Sequence, residues 1–277
     1  MTPELTRLWE LFQLPFMQRA LLGGILTGLT GGLMGSFTIL RQLSFFSDAL
    51  GHSALLGISL GVVMGLNPTS VLIPFAVVFA LSVTYLLEKT QLWTDALLNI
   101  IYSSSLALAV IILSFSDSYK GGLTKLLFGD ILAVREVHLL MSGVLLIACL
   151  LFLGLTLKTQ MLLTLYEPMA KAQGVAIQAH RASFIVLLSL VVAIAIQAVG
   201  VLLVSAFVVI PACSARLLAQ KFSHYIFLSM GIGALSATLG IVVSAWVNSP
   251  SGASIVVAQL AVFLLAALFS QTNRSFA

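Results

Sequence analysis

The residue types best suited to chemistry gather in Asp48-Ala49-Leu50-Gly51-His52. On a helix, positions i and i+4 share a face, so this spacing turns a carboxylate and an imidazole towards one region. One carboxylate oxygen and one imidazole nitrogen suit a borderline divalent cation such as zinc, manganese or iron. Zinc takes about four donors and manganese about six, so a second helix, backbone carbonyls or water must complete any shell. Asn99, Tyr102, Ser103, Ser104, Ser105 and Gln197 are the nearby polar candidates. A mutually satisfied Asp–His hydrogen bond that only fixes helix packing is the competing reading.

Two other stretches stand out. In Tyr166-Glu167-Pro168-Met169-Ala170-Lys171-Ala172-Gln173-Gly174-Val175, Pro168 sits where a helix would begin, Glu167 is placed to cap it, and Gly174 ends it. A short helix with a small residue at Ala170 could dock into a partner's groove; a plain connecting turn fits equally. In the apolar run 200–215, Pro211 frees a backbone carbonyl, which is tolerable only against protein or in a wet cavity. Pathway lining by Pro211 and simple kinking both fit. GxxxxGK[ST] is absent, so the chain has no phosphate loop for ATP; HExxH and GxSxG are absent too.

The elements that must carry these residues follow from composition. Of 277 residues, 60% are hydrophobic and 8% are charged, against about 25% charged in soluble domains. Mean hydropathy is +1.13. That excludes a water-soluble globule. Apolar segments run over 16–40, 49–66, 71–87, 95–115, 136–157, 182–199, 201–219, 225–247 and 253–270. Each is near the ~20 residues that a membrane-spanning helix needs. The expected fold is all-α: a polytopic transmembrane bundle of eight to nine spans in one domain over 1–277. The uncertainty in number comes from Gly200, which alone separates the sixth and seventh segments as a broken helix or tight hairpin. Extended as one helix from Arg41, the chain would place His52 roughly 16 Å deep, near mid-membrane.

Arg41, Lys89, the 158–181 loop, Arg216 with Lys221, and Arg274 can all face the cytoplasm in one alternating arrangement. It puts the N-terminus outside and the C-terminus inside. Residues 1–15, with Leu5, Leu8, Trp9 and Phe12 at helical spacing and no secretory-signal pattern, read as an interfacial helix. Residues 123–129 read as a second one, on the outer side. Gly24, Gly28 and Gly32, and Gly31 with Gly35, form small-residue ridges for close helix packing. Cys149 and Cys213 read as buried thiols. The net charge of +4 is spread between apolar stretches and gives no nucleic-acid signal.

These blocks together resemble the permease subunit of bacterial ATP-binding-cassette importers for zinc, manganese and iron. The likeness rests on the ordered segments 41–52, 87–89, 127–134, 167–174, 200–215 and 249–252. Leu127-Phe128-Gly129-Asp130 and Leu87-Glu88-Lys89 look most like the zinc branch. The resemblance implies a homodimer in the bacterial cytoplasmic membrane, a separate cytoplasmic ATP-binding subunit, and an extracytoplasmic metal-binding protein. It implies no permanently bound cofactor and no enzymatic activity in this chain. ATP belongs to the partner; Zn2+ or Mn2+ is cargo, with Asp48 and His52 as its transient ligands. It makes Glu167, Pro168, Ala170 and Gly174 part of the helix that couples to the ATPase. One departure is Asn248, where the family often has Asp, which removes an outward-side charge.

Two rivals use the same residues. A proton-coupled carrier would employ Asp48 and His52 as a relay and need no ATPase. An intramembrane metallohydrolase would need a third protein ligand and a general base near His52. Copurification with an ATPase, and transport that stops with ATP hydrolysis, separates the permease from both.

Overall fold

The computed structural model describes residues 10–90, 92–115, 131 and 134–274. The N-terminal segment of the interfacial reading, up to residue 9, and the 123–129 segment lie outside the described residues, as does most of the 127–134 block. The helices are α1 (Pro15–Leu40), α2 (Phe46–Val63), α3 (Pro68–Thr90), α4 (Thr94–Ser114), α5 (Glu136–Leu165), α6 (Glu167–Ala172), α7 (Ile177–Val199), α8 (Val201–Leu218), α9 (Phe222–Val247) and α10 (Ser251–Arg274). No strand occurs among the described residues. All but α6 are long and apolar enough to cross a membrane, giving nine candidate spans among the described residues. The chain is a multi-pass, all-α membrane protein.

Three boundaries depart from the apolar-run reading. A turn at 41–45 ends α1, so the 16 Å depth from a continuous helix does not apply; α2 starts at Phe46 and carries Asp48 in its first turn. An 18-residue helix is about 27 Å long, so His52 still falls within a few Å of its middle. α5 continues to Leu165, past the predicted end at 157. Its last turns replace lipid contacts with protein contacts, Gln160 being wholly buried. α7 likewise starts earlier, at Ile177.

α1 is the central post. In its span 72% of residues are buried, against 17% in α5 and in α10, which are peripheral. The predicted glycine ridges explain how. A Cβ at Gly28 or Gly32 would strike the backbone of α9 at Gly233 and Ser229, and one at Gly31 or Gly35 the backbone of α8 at Phe207 and Val208. Glycine costs a helix about 1 kcal/mol relative to alanine; here it admits two neighbours to backbone contact. The Ser229 hydroxyl then donates to the Gly32 carbonyl at 2.7 Å. On the outside, Leu140, Val144, Ile147, Leu151 and Leu155 of α5 recur at helical spacing and are each more than half exposed. That stripe suits lipid.

Gly200 has φ +87° and ψ +161°, a conformation open to glycine alone. The chain reverses there. Phe184 near the start of α7 and Phe222 just after α8 both pack on Phe37, with ring centroids 6.2 and 5.4 Å away. Sixth and seventh segments are thus a splayed hairpin of two separate helices.

Gly35→Val would force side-chain atoms into the α8 backbone and should cost at least the ~1–3 kcal/mol typical of overpacking. Gly143→Ala, where nothing lies within 4 Å, should be neutral or slightly stabilising. Thermal unfolding in detergent measures both; equal midpoints for the two variants would contradict this packing scheme.

Candidate metal pathway and coupling helix

α2 crosses between α4 and α8, and Gly51 fixes how closely α8 approaches. A Cβ at Gly51 would collide with a Val201 methyl. One turn along each helix, the Ser205 hydroxyl donates to Asp48 Oδ1 at 3.0 Å. Val201 with Ser205 is an i, i+4 pair, set against the Asp48–Gly51 pair on α2. The glycine between the two ionisable residues is therefore what lets a hydroxyl reach the carboxylate. On the other side, the His52 ring meets Tyr102 of α4 edge-on, centroids 5.1 Å apart, and Tyr102 also meets Phe45 at 6.0 Å.

Asp48, His52, Tyr102 and Ser205 are all half-buried and lie together where α2 meets α4 and α8. Asp48 takes its hydrogen bond from Ser205; none joins it to His52 among the described residues. The purely structural Asp–His pair is not formed. Nor does any Lys, Arg or His of the described residues form an ion pair with Asp48. A half-buried carboxylate without a basic partner is a favourable place for a passing cation. No group of three or more His, Cys, Asp or Glu residues comes together among the described residues. What this chain offers is a carboxylate, an imidazole, a hydroxyl and a phenol.

Other sequence candidates fall elsewhere. Pro211 is buried, and the carbonyl it deprives of a partner, that of Phe207, lies against Gly31 of α1. Pro211 is packed into the bundle where α8 meets α1. Asn99 is exposed a turn before Tyr102, and its Oδ1 accepts from Ser103 only at 3.5 Å. It stands outside the cluster. Ser205 was missed: it lies 157 positions from Asp48, and a lone serine in an apolar helix gives no signal.

The predicted short helix exists as α6, with Pro168 in its first turn. Tyr166, not Glu167, occupies the cap position, and no side chain caps the helix. Glu167 instead pairs with Arg181 of α7 at 2.8 Å. Gly174 adopts φ +73°, and the Gly174 and Val175 amides close the helix on Lys171 and Ala170 carbonyls at 3.1 Å each. Ala170 is wholly buried against this chain, while Pro168, Met169, Lys171 and Gln173 are exposed. Its small side chain seats α6 on the bundle, correcting the expectation that Ala170 meets a partner. Asn248 ends α9 at φ +58°, a left-handed position that asparagine tolerates better than most residues.

The sequence matches the ABC 3 transport family over residues 13–270. The chain belongs to this family. It is 34% identical over 261 residues to the manganese transport system membrane protein MntC of Listeria monocytogenes, covering 94% of this chain and 92% of that protein. It is 30% identical over 246 residues to the high-affinity zinc uptake system membrane protein ZnuB of Haemophilus influenzae, covering 89% and 94%. Among solved structures, PsaBC from Streptococcus pneumoniae in complex with Fab matches with a TM-score of 0.81 at 32% identity, over 95% of each chain. Manganese and zinc names both occur, so the zinc branch is not singled out.

Ser205→Ala should leave the Asp48 carboxylate without its donor, a bond to a charged group worth about 1.5–3 kcal/mol. The expected result is roughly tenfold or more weaker binding of manganese or zinc, measured by equilibrium dialysis on the purified protein. Unchanged affinity would remove Ser205 from the site.

Proposed function

We propose that this chain is the single-domain permease of an importer that moves a divalent transition-metal ion, manganese or zinc, across the bacterial cytoplasmic membrane. A separate cytoplasmic subunit hydrolyses ATP and docks on the exposed face of α6; an extracytoplasmic protein delivers the ion; two copies of the permease assemble. The observation that carries this reading is the half-buried Asp48–His52 pair, with no basic partner for the carboxylate among the described residues, inside a chain of the ABC 3 transport family.

The chemistry suits passage rather than storage. Asp48 offsets the desolvation of the cation and His52 offers a borderline nitrogen donor. Ser205 and Tyr102 add weaker oxygens, and water or the second protomer completes the shell. So few strong ligands let the ion leave as well as enter, as conduction requires. Nothing in the donor set selects manganese over zinc. Both relatives' names support the cargo class, and competition between the two ions would rank them.

His52→Ala and Asp48→Asn should each reduce ATP-dependent uptake of radiolabelled manganese or zinc into reconstituted vesicles by at least tenfold, with assembly unchanged. Wild-type uptake in both would contradict the site. Uptake driven by a proton gradient without ATP would favour the proton-coupled carrier. Met169→Asp, placing a charge on the exposed face of α6, should weaken copurification of the ATPase without altering metal binding at Asp48. Undiminished copurification would exclude that face as the docking surface.

A further inference from the structure

Arg41 obeys the sequence rule for a cytoplasmic boundary residue, yet it does not reach out to water as such residues do. It turns inward. Its Nε donates to Thr164 Oγ1 at 3.0 Å, and its Nη2 donates to the side-chain and backbone oxygens of Gln160 at 2.5 and 3.2 Å. The guanidinium lies over the Phe184 ring of α7 at 4.2 Å and near Phe37 of α1 at 5.8 Å. Burial, and next the charge of Arg181, lower its pKa to about 10, so it remains cationic at neutral pH. One side chain thus ties the end of α1 to the end of α5 and the start of α7.

What lies on either side of that tie matters. α5 leads through Tyr166 directly into α6, and Glu167 of α6 is held by Arg181. On the other side, Arg41 caps α1, and the chain runs through four further turn residues into α2. That turn is stiff. Gln42 is left-handed at φ +57°, and the Gln42 and Leu43 amides close on Ile39 and Thr38 at 3.2 and 2.9 Å. The Phe46 amide donates back to Leu43 at 3.0 Å and that of Ala49 to Phe45 at 2.9 Å. A non-glycine residue in this conformation persists only where its surroundings over-determine it. A cavity of about 390 Å³, lined by Arg41, Gln42, Thr94, Thr164, Glu167 and Arg181, leaves room beside the tie for the elements to shift.

We propose that Arg41 is a positioning residue that passes displacement of the α5–α6 end to the first turn of α2, and so to Asp48 and His52. This inference rests on the reading of α6 as the ATPase contact. Arginine is required because its planar fork makes several directed bonds while stacking on Phe184; lysine keeps the charge and the membrane topology but has no fork. Coupling is carried when two elements are bound to move together, and here the bond is between the docking end and the site.

The test compares wild type, Arg41→Lys and Thr164→Val, each assembled with the ATPase and the metal-delivery protein in vesicles, reading ions transported per ATP hydrolysed. Arg41→Lys should copurify with the ATPase and bind manganese at Asp48 within twofold of wild type, yet transport at least tenfold fewer ions per ATP. Thr164→Val, which removes one of the bonds while sparing the guanidinium stack, should lie between the two. A merely structural role would lower the amount of folded protein and leave the ratio untouched. A wild-type ratio in both variants overturns the proposal. A wild type whose transport ignores ATP overturns the permease reading itself, an outcome distinct from uncoupling by the variants alone.

Discussion

How near one helix backbone can come to another governs this molecule. In an apolar bundle lipid competes for every hydrophobic surface, so burial of apolar side chains does little to choose helix partners. Van der Waals contact at short range does, and only glycine permits it where α1 meets α8 and α9. The same rule operates at the candidate site. Gly51 lets Val201 in, and with it Ser205 comes within hydrogen-bond reach of Asp48. Remove that closeness and the half-buried carboxylate loses the hydroxyl that donates to it.

From this constraint the division of labour follows. α1, α8 and α9 form the tightly packed part, and α2 is held between α8 and α4 with its polar face turned to Ser205 and Tyr102. The far end of α9 closes on Asn248, while the end that holds Arg41 gathers α5, α6 and α7. The Asp48–His52 pair and α6 are thus separate, each built from few residues, and joined by continuous helical and turn structure.

Much of this was legible in the sequence, for physical reasons that differ by residue. Asp48 and His52 could be nominated as candidates because they share a helix, and i, i+4 spacing is a local rule. The glycine ridges and the break at Gly200 were visible because glycine has a distinct backbone. Ser205 was not, since its partner comes from a helix 157 positions away and a serine hydroxyl can always bond its own helix. Arg41 was read as a topology residue because a boundary arginine looks the same whether it faces water or turns inward. Pro211 was ambiguous because sequence shows which carbonyl a proline frees but not what that carbonyl meets; here it meets Gly31. Ala170 was assigned to the wrong surface for the same reason, as a small residue marks close approach without saying by whom. Helix ends were misjudged at α5 and α7 because apolar composition reports the lipid layer, and these helices outrun it.

If this chain conducts the ion as proposed, the imidazole of His52 touches the cargo during passage. Pulsed electron paramagnetic resonance on manganese(II) bound to the detergent-solubilised complex, with its ATPase inactivated, would test this directly. The expected result is magnetic coupling of the bound manganese to one imidazole nitrogen, lost in His52→Ala while some manganese still binds through Asp48. Bound manganese that shows no nitrogen coupling in the wild type, or the same coupling after His52→Ala, would contradict it.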